Sequence, residues 1–286
     1  MTFTDSTGLI AARKAAAPNP LKSKLVKGEL AHALSIKIIS SIEIVGYAAS
    51  AGYDCVLIDL EHSSFGLDTT NQLSCAALQL GLTPIVRVPA NTSDWISRAL
   101  DGGAQAIIVP HVNSAAEAAN VVRYAKFAPI GERSATGTMP MLRYAPVPAK
   151  YANTVCNELT TVICMIETVR ALDDVDSIAA VLGVDVLLIG CGDLTSDMGI
   201  PGEFDNPRIE EAFDRVAAAA EKMSVNGRLL SVGFGGLHNR LDLVEKFARK
   251  NPSARFVMAG ADNTFVLQAV VDGANAAKTV AQSLLV

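Results

Sequence analysis

The chain has 286 residues, of which half are apolar and 19% are charged, and its formal net charge is −5. The length suits one large α/β domain or two small ones, and the negative charge argues against nucleic acid or an anionic membrane surface as a partner. No apolar run reaches the roughly 18 residues that a membrane-spanning helix requires. We therefore expect a cytoplasmic protein, and the high apolar fraction indicates a homo-oligomer.

Five cysteines are present and none forms a CxxC pair, which is typical of reduced core residues in a cytosolic protein. They are Cys55, Cys75, Cys156, Cys164 and Cys191. A thiol nucleophile at Cys191 is an alternative, because it neighbours Asp193. An acidic neighbour does not lower the pKa of a thiol, however, so the sequence disfavours it.

Residues 1–27 are polar and rich in alanine, without strand periodicity, and they lack the apolar core of a secretory signal. We predict an N-terminal arm that lies on the surface or on a neighbouring subunit. Several Arg and Lys with one acid would also fit a mitochondrial presequence. From residue 28 to residue 286 we predict one catalytic domain.

Apolar runs alternate with helical patterns over that domain. The predicted strands are Leu34–Ile38, Asp54–Leu60, Thr83–Val88, Gln105–Val109, Thr161–Glu167, Val184–Ile189, Arg228–Phe234 and Ala254–Met258. The predicted helices are Ser41–Ala51, Asp68–Leu80 with Asp68 as its cap, one from Ser93 or Asp94 to about Gly102–Gly103, Ser114–Lys126, Asn206–Val225, His238–Arg249 and Asp262–Leu285. A segment rich in Gly, Pro and Ser, Glu132–Ala149, interrupts this alternation and is predicted to be a functional loop.

Eight strands that alternate with helices in about 260 residues predict a (β/α)₈ barrel. A doubly wound open sheet is the alternative. That fold more often carries a glycine fingerprint after its first strand, and this sequence has none there.

Two carboxylates follow predicted strands that are buried. Asp193 follows the apolar run and glycine turn of Val184–Gly199 (VDVLLIGCGDLTSDMG), and Glu167 ends Thr161–Glu167. Because the carboxyl ends of parallel strands meet at one rim, these acids lie close together and need a cation or a shared proton. Two carboxylates with waters suit Mg²⁺, with Mn²⁺ or Co²⁺ as alternatives.

Other strand ends carry groups that bind substrate or transfer protons. Arg87 is a planar donor suited to a substrate carboxylate or an enolate oxygen. Asp59 precedes His62 by three residues, so it can orient the imidazole as a general base, with a helix-cap pair as the alternative. The backbone N–H groups of Gly192 and Asp193 begin a helix and can bind an anion.

This combination of groups fits chemistry at a 2-keto acid. A metal would chelate the keto and carboxylate oxygens and stabilise an enolate. A lysine Schiff base is the other route, and we place no lysine at a predicted strand end, which disfavours it.

Several segments together resemble the HpcH/HpaI family of class II pyruvate aldolases. They are IDLEHSSF (Ile58–Phe65), PIVRVPAN (Pro84–Asn91), VPHV (Val109–Val112), MIET (Met165–Thr168) and LLIGCGDLTSDMG (Leu187–Gly199). The similarity runs from about residue 30 to the C-terminus. The resemblance implies a (β/α)₈ TIM barrel of the phosphoenolpyruvate/pyruvate-binding type, with a swapped C-terminal helix and a hexamer built as a trimer of dimers.

The resemblance also implies roles for matched residues. It implies a divalent metal on Glu167 and Asp193, a catalytic pair at Asp59 and His62, and a substrate-binding arginine at Arg87. The family's loop arginine is matched by Arg133, and that loop could reach across a subunit boundary.

The histidine at position 111 makes the sequence similar to the decarboxylating branch of that family, which includes macrophomate synthase. We place His111 among the substrate-binding residues. We predict a metal-dependent carbon–carbon lyase that joins or separates a 2-keto acid, pyruvate or oxaloacetate, and an aldehyde acceptor. An oxaloacetate decarboxylase or an enolate-trapping synthase is the alternative. A barrel that binds a keto acid without catalysis is another.

Overall fold

The computed structural model of the protein describes residues 5–224 and 228–284. These residues form eight strands, β1 to β8. Their bounds are Ala31–Ile36, Cys55–Asp59, Thr83–Arg87, Ala106–Val109, Thr161–Ile166, Val186–Gly190, Ser231–Gly235 and Ala254–Ala261. Residues 1–4 of the predicted arm and the predicted helix ends Val225 and Leu285 lie outside the described residues.

Thirteen α-helices, α1 to α13, complete the described part of the chain. Their bounds are Asp5–Ala15, Pro20–Lys27, Glu43–Ser50, Leu67–Gln79, Ser93–Asp101, Ala115–Ala125, Ala149–Leu159, Val169–Asp173, Val175–Ala180, Cys191–Asp197, Pro207–Met223, Leu241–Lys250 and Asp262–Ser283. Helix α4 begins after Gly66 and not at a capping Asp68, which lies in its first turn. An acid there still interacts favourably with the helix dipole.

Each strand pairs in parallel with the next one along the chain, and β8 pairs with β1 to close a barrel. The predicted (β/α)₈ TIM barrel is therefore confirmed, and the open sheet is wrong. The observed strands differ from the predicted ones by a few residues at their ends. One difference matters for the site, because β1 ends at Ile36 and leaves Lys37 immediately beyond it.

Strands β2 to β7 are buried along their whole length, as is usual for parallel strands in a barrel, whereas β1 and β8 carry partly exposed residues. One face of the strands fills the barrel interior, with Leu57, Ile108 and Leu188 among the residues packed there. Leu21 and Leu25 of α2 join this interior cluster, and the Leu21 amide donates to Thr83 Oγ1 at the start of β3 (3.0 Å). Helix α2 thus covers the N-terminal end of the barrel of its own chain.

The predicted functional loop is irregular except for a single 3₁₀ turn, Pro140–Leu142. Arg133 in this loop is buried, with its Nη2 2.6 Å from Asp101 Oδ1 and its guanidinium carbon 4.5 Å from the centre of the Phe127 ring. Arg133 itself thus contacts groups of its own chain, and the expectation that the loop reaches across a subunit boundary stays a prediction. The charge of Arg133 is held inside its own chain by an acid and an aromatic face.

Helix α13 differs from the other helices in its burial. Every residue from Phe265 to Leu284 is exposed, and only Asp262, at its first position, is buried. No helix of the described residues is long and apolar enough to span a membrane. All five cysteines are free thiols, and the cytoplasmic location stays a prediction.

Candidate active site

A cavity of about 190 Å³ opens at the carboxyl ends of the strands, the end at which TIM-barrel enzymes place their active sites. Four residues chosen from the sequence line it: His62, Arg87, Gly192 and Asp193. Gly192 and Asp193 lie in the first turn of α10, directly after β6. The barrel therefore brings together groups that are more than a hundred residues apart in the chain.

Asp59 and Arg87 form a buried ion pair at the base of this cavity. They are register partners on β2 and β3, so their side chains lie on the same face of the sheet. Arg87 Nε donates to Asp59 Oδ1 (2.9 Å) and Nη2 donates to Oδ2 (2.5 Å). Burial opposes the charge on Asp59, but the bonds and charge of Arg87 and the charge of Lys37 outweigh it, so the pKa of Asp59 lies below its usual value.

Glu61 is a site residue that the sequence analysis did not select. Its Oε2 lies 2.9 Å from Arg87 Nη1, and its Oε1 lies 3.5 Å from His111 Nε2. Glu61 thus connects the buried ion pair to the histidines at the rim. The signal for it was its place in the DLEH segment, directly before His62.

His62 is exposed, and the structure corrects its predicted partner. The contact with Asp59 runs through the backbone, from the His62 amide to Asp59 Oδ1 (3.2 Å). The imidazole Nε2 lies 3.8 Å from Glu61 Oε2 instead. Both carboxylate oxygens of Asp59 are bonded to Arg87. Glu61 is therefore the acid that lies next to the His62 ring.

Glu167 is almost fully buried, and His111 contacts it twice. The His111 amide donates to Glu167 Oε1 (2.6 Å), and ring Nδ1 lies 3.1 Å from the same oxygen. His111 has a φ of 53°, a conformation that few residues other than glycine adopt and that clusters at functional sites. Burial raises the pKa of Glu167, and the charges of Glu61 and Asp193 add to this effect.

These acids fit a divalent cation. A Cβ at Gly190 would lie only 2.7 Å from Glu167 Oε2. Glycine at this position therefore leaves room for the Glu167 carboxylate. In the described part of the chain, no three His, Cys, Asp or Glu side chains converge as a metal site made only of protein ligands would require. Glu167 and Asp193 thus supply at most two carboxylates, the number with which Mg²⁺ and its waters are commonly held.

Lys37 is a second residue that the sequence analysis missed, and it lines the cavity. Its Nζ lies 3.4 Å from Asp59 Oδ2. The expectation that no lysine lies at a strand end is wrong, because β1 ends one residue before Lys37 and not beyond it. Cys191 also lines the cavity, but burial raises the pKa of its thiol far above the usual range, which leaves it unreactive.

The sequence matches the HpcH/HpaI aldolase/citrate lyase family over residues 39–269. The chain belongs to this family. The predicted enzyme class, a carbon–carbon lyase of the aldolase type, is confirmed with it.

Individual proteins are similar to this one over nearly the whole chain. A 4-hydroxy-4-methyl-2-oxoglutarate aldolase of Hapsidospora irregularis is 39% identical over 92% of this chain and 96% of its own length. An HpcH/HpaI aldolase from Desulfitobacterium hafniense superposes with a TM-score of 0.83 at 28% identity, covering 92% of this chain and 97% of its own. Macrophomate synthase superposes with a TM-score of 0.73 at 26% identity, covering 95% of this chain and 93% of its own.

We expect Arg87→Lys to reduce lyase activity roughly 30- to 1,000-fold, the equivalent of about 2–4 kcal/mol in the transition state. Two of the five N–H donors of Arg87 bond Asp59, Nη1 lies 2.9 Å from Glu61 Oε2, and the remaining donors are left for a substrate oxygen. A lysine keeps the charge but cannot span these acceptors. Steady-state kinetics on the folded variant, verified by circular dichroism, measures the loss. An activity within twofold of wild type would place Arg87 outside the reacting centre.

Proposed function

We propose that this protein is a class II lyase that cleaves and forms the carbon–carbon bond between a pyruvate unit and a carbonyl acceptor. The observation that supports the proposal is the pair Glu167 and Asp193, whose charges act on each other, together with Arg87, on which the charge of Glu167 acts. Mg²⁺ is the ion whose ligand preference these two carboxylates match. A 4-hydroxy-2-keto acid is the proposed substrate for cleavage, because the Hapsidospora relative is named for such a compound.

Each side chain has a defined task in this reaction. The divalent ion, when bound, supplies a Lewis acid for the keto and carboxylate oxygens of the substrate. Arg87 donates to an oxygen of the same group and stabilises the negative charge that develops there. His62 accepts the proton of the C4 hydroxyl as the C3–C4 bond breaks. The bonding electrons stay on C3 as the pyruvate enolate, which then takes up a proton at C3 to give pyruvate.

The position of His62 supports its role as a base. Its ring lines the cavity, and its Nε2 lies 3.8 Å from Glu61 Oε2, so an acid is placed beside the base. The same groups serve synthesis in the reverse direction, when His62 removes a proton from the methyl group of pyruvate. Pyruvate and an aldehyde or ketone acceptor are then the partners.

A second candidate function is decarboxylation of oxaloacetate, alone or coupled to trapping of the enolate. Two observations favour it: the placement of His111 between Glu61 and Glu167, and the similarity to macrophomate synthase. Loss of carbon dioxide from oxaloacetate produces the pyruvate enolate without a base. The two functions therefore share the enolate-holding residues and differ in their need for His62.

Removal of divalent ions with a chelator should abolish activity, and added Mg²⁺ should restore it. Glu167→Gln and Asp193→Asn should each lower activity at least about 100-fold, because each loses a charged ligand. Glu245→Gln is the control, since Glu245 is exposed and pairs with Arg249 on the surface. Full activity after exhaustive chelation, or trapping of pyruvate on Lys37 by borohydride, would contradict the class II proposal.

His62→Ala should separate the two candidate reactions. We expect proton exchange at the pyruvate methyl group and aldol turnover to fall by about 10²–10⁴-fold, the usual contribution of a general base. Oxaloacetate decarboxylation should fall at least roughly tenfold less, because Glu167, Asp193 and Arg87 still hold the enolate. Both rates are measured on one preparation with one metal. Equal losses would assign His62 to binding and make His111 the next candidate for the base.

We also propose a homo-oligomer, a hexamer built as a trimer of dimers, with α13 exchanged between copies. Helix α13 exposes a run of apolar residues on its surface: Phe265, Val266, Leu267, Val270, Val271 and Val280. An apolar groove lies outside β1 and β8 on the same chain, lined by Leu30, Leu241, Val244, Val257 and Ala259 among others. A second copy's α13 has the apolar surface to cover this groove, and exposed patches of this kind mark interfaces.

A single charge on α13 tests this assembly. Val270→Asp places a carboxylate in the apolar run and should dissociate the oligomer, whereas Asn275→Asp on the same helix should not, because Asn275 is an exposed polar residue. Light scattering coupled to gel filtration measures the mass of each variant. A wild-type protein that elutes as a monomer would refute the assembly.

A further inference from the structure

Lys37 is the one charged residue lining the cavity to which the lyase mechanism assigns no task. Its backbone is held firmly, because the Lys37 amide donates to Asp262 Oδ1 (2.9 Å). The next two amides, of Ile38 and Ile39, donate to Asp262 Oδ2 (2.9 and 2.8 Å). This buried carboxylate at the start of α13 therefore fixes the segment that carries Lys37, and the ammonium group extends from a rigid base.

The ammonium group has bonding capacity beyond its contact with Asp59. Its distance to Asp59 Oδ2 is 3.4 Å, longer than a normal hydrogen bond. Asp59 is already bonded to Arg87 on both oxygens. A lysine carries three donors, so Lys37 can bond an anionic ligand without giving up its attraction to Asp59.

The side of the cavity around Lys37 is built from polar groups without a negative charge directed at the ligand. His238, Asn263 and Thr264 follow β7 and β8, which are the neighbours of β1 in the closed barrel. His238 Nε2 lies 3.3 Å from Thr264 Oγ1. Burial lowers the pKa of His238, and the charge of Lys37 lowers it further. Each of these side chains carries a group that can donate a hydrogen bond to a carboxylate.

The two sides of the cavity therefore have opposite electrostatic character. Glu167 follows β5, which lies opposite the Lys37-bearing β1 in the closed barrel, and Asp193 follows β6, three strands from β1. That side suits a cation and the keto-acid end of a substrate, while the Lys37 side suits an anion. A substrate that spans the cavity should carry a second carboxylate at its distal end.

The geometry points to Lys37 as the residue that binds the distal carboxylate of a dicarboxylic 2-keto acid and so selects dicarboxylic over monocarboxylic substrates. This inference rests on the proposed function for the placement of the keto-acid end. It adds the substrate class and the residue that recognises it. Lys37 acts here in binding, without forming a covalent bond.

Two substrates of equal chain length test this role. 4-Hydroxy-2-oxoglutarate and 4-hydroxy-2-oxovalerate differ only in a terminal carboxylate or methyl group. Wild type should prefer the dicarboxylate in kcat/KM by at least about tenfold. Lys37→Met keeps the length of the side chain and removes its charge, and it should reduce this preference by roughly 10- to 100-fold, the value of a hydrogen bond to a charged group. The loss should fall on KM more than on kcat.

Two further variants serve as controls. Lys37→Arg keeps the charge and should retain most of the preference. Lys27→Met removes an exposed lysine at the opposite end of the barrel and should leave the preference unchanged. Equal losses on both substrates in Lys37→Met would show that Lys37 only supports Asp59, and an unchanged preference would show that it binds no distal group. Either result overturns the inference.

A binding measurement separates failure of the inference from failure of the proposed function. Protection of wild type against thermal unfolding by 2-oxoglutarate should exceed that by 2-oxovalerate, and Lys37→Met should lose the difference. If wild type cleaves neither hydroxy acid, the proposed lyase reaction on these substrates fails, while the binding pair still tests Lys37. Equal protection of wild type by the two ligands would overturn the inference.

Discussion

The buried pair of Asp59 and Arg87 is the contact on which the rest of the site depends. A buried carboxylate or guanidinium is costly unless it is paired and fully hydrogen-bonded, and these two satisfy each other from adjacent strands in register. Arg87 in turn holds Glu61, which lies beside the rings of His62 and His111. The buried ion pair therefore helps to position Glu61, and through Glu61 the two exposed histidines at the rim.

The same network separates the charges of the cavity. Asp59 and Glu61 are compensated by Arg87, whereas Glu167 is left among acids and has its pKa raised by burial and by its neighbours. Excess negative charge thus concentrates where a divalent ion would be held. Near β1, the carboxylate of Asp262 accepts hydrogen bonds from three backbone amides. The ammonium group of Lys37 lines the cavity.

The N-terminal helix α2 packs against the barrel, whereas the C-terminal helix α13 is exposed along most of its length. Helix α2 places Leu21 and Leu25 against the interior cluster and so completes the core at the N-terminal end of the strands. Helix α13 leaves the barrel after Asp262 and does not cover the apolar groove outside β1 and β8. A TIM barrel ordinarily has a helix over each pair of strands. Within the described residues, the groove lacks a covering helix and most of α13 lacks a surface to pack on, so α13 of a second copy of the chain is suited to cover the groove.

The sequence by itself determined the barrel and the strand ends at which the candidate site lies. Eight buried strands followed by helices predict one architecture, and strand ends carrying Asp59, Arg87, Glu167 and Asp193 must meet at one rim. Local patterns could not determine which of these groups pair, because pairing depends on register and side-chain reach across strands. Only the tertiary structure showed that Arg87 takes the carboxylate of Asp59.

The helices of the N-terminal segment and the roles of Glu61 and Lys37 also required the tertiary structure. Leu21 and Leu25 are too few to give a clear helical pattern, and their burial comes from contact with strands far along the chain. The predicted first strand runs two residues too far, to Ile38, which places Lys37 inside it and not at its end. The true boundary is fixed by pairing with β2 and β8. Strand ends are where sequence patterns are weakest, since pairing and not composition decides them.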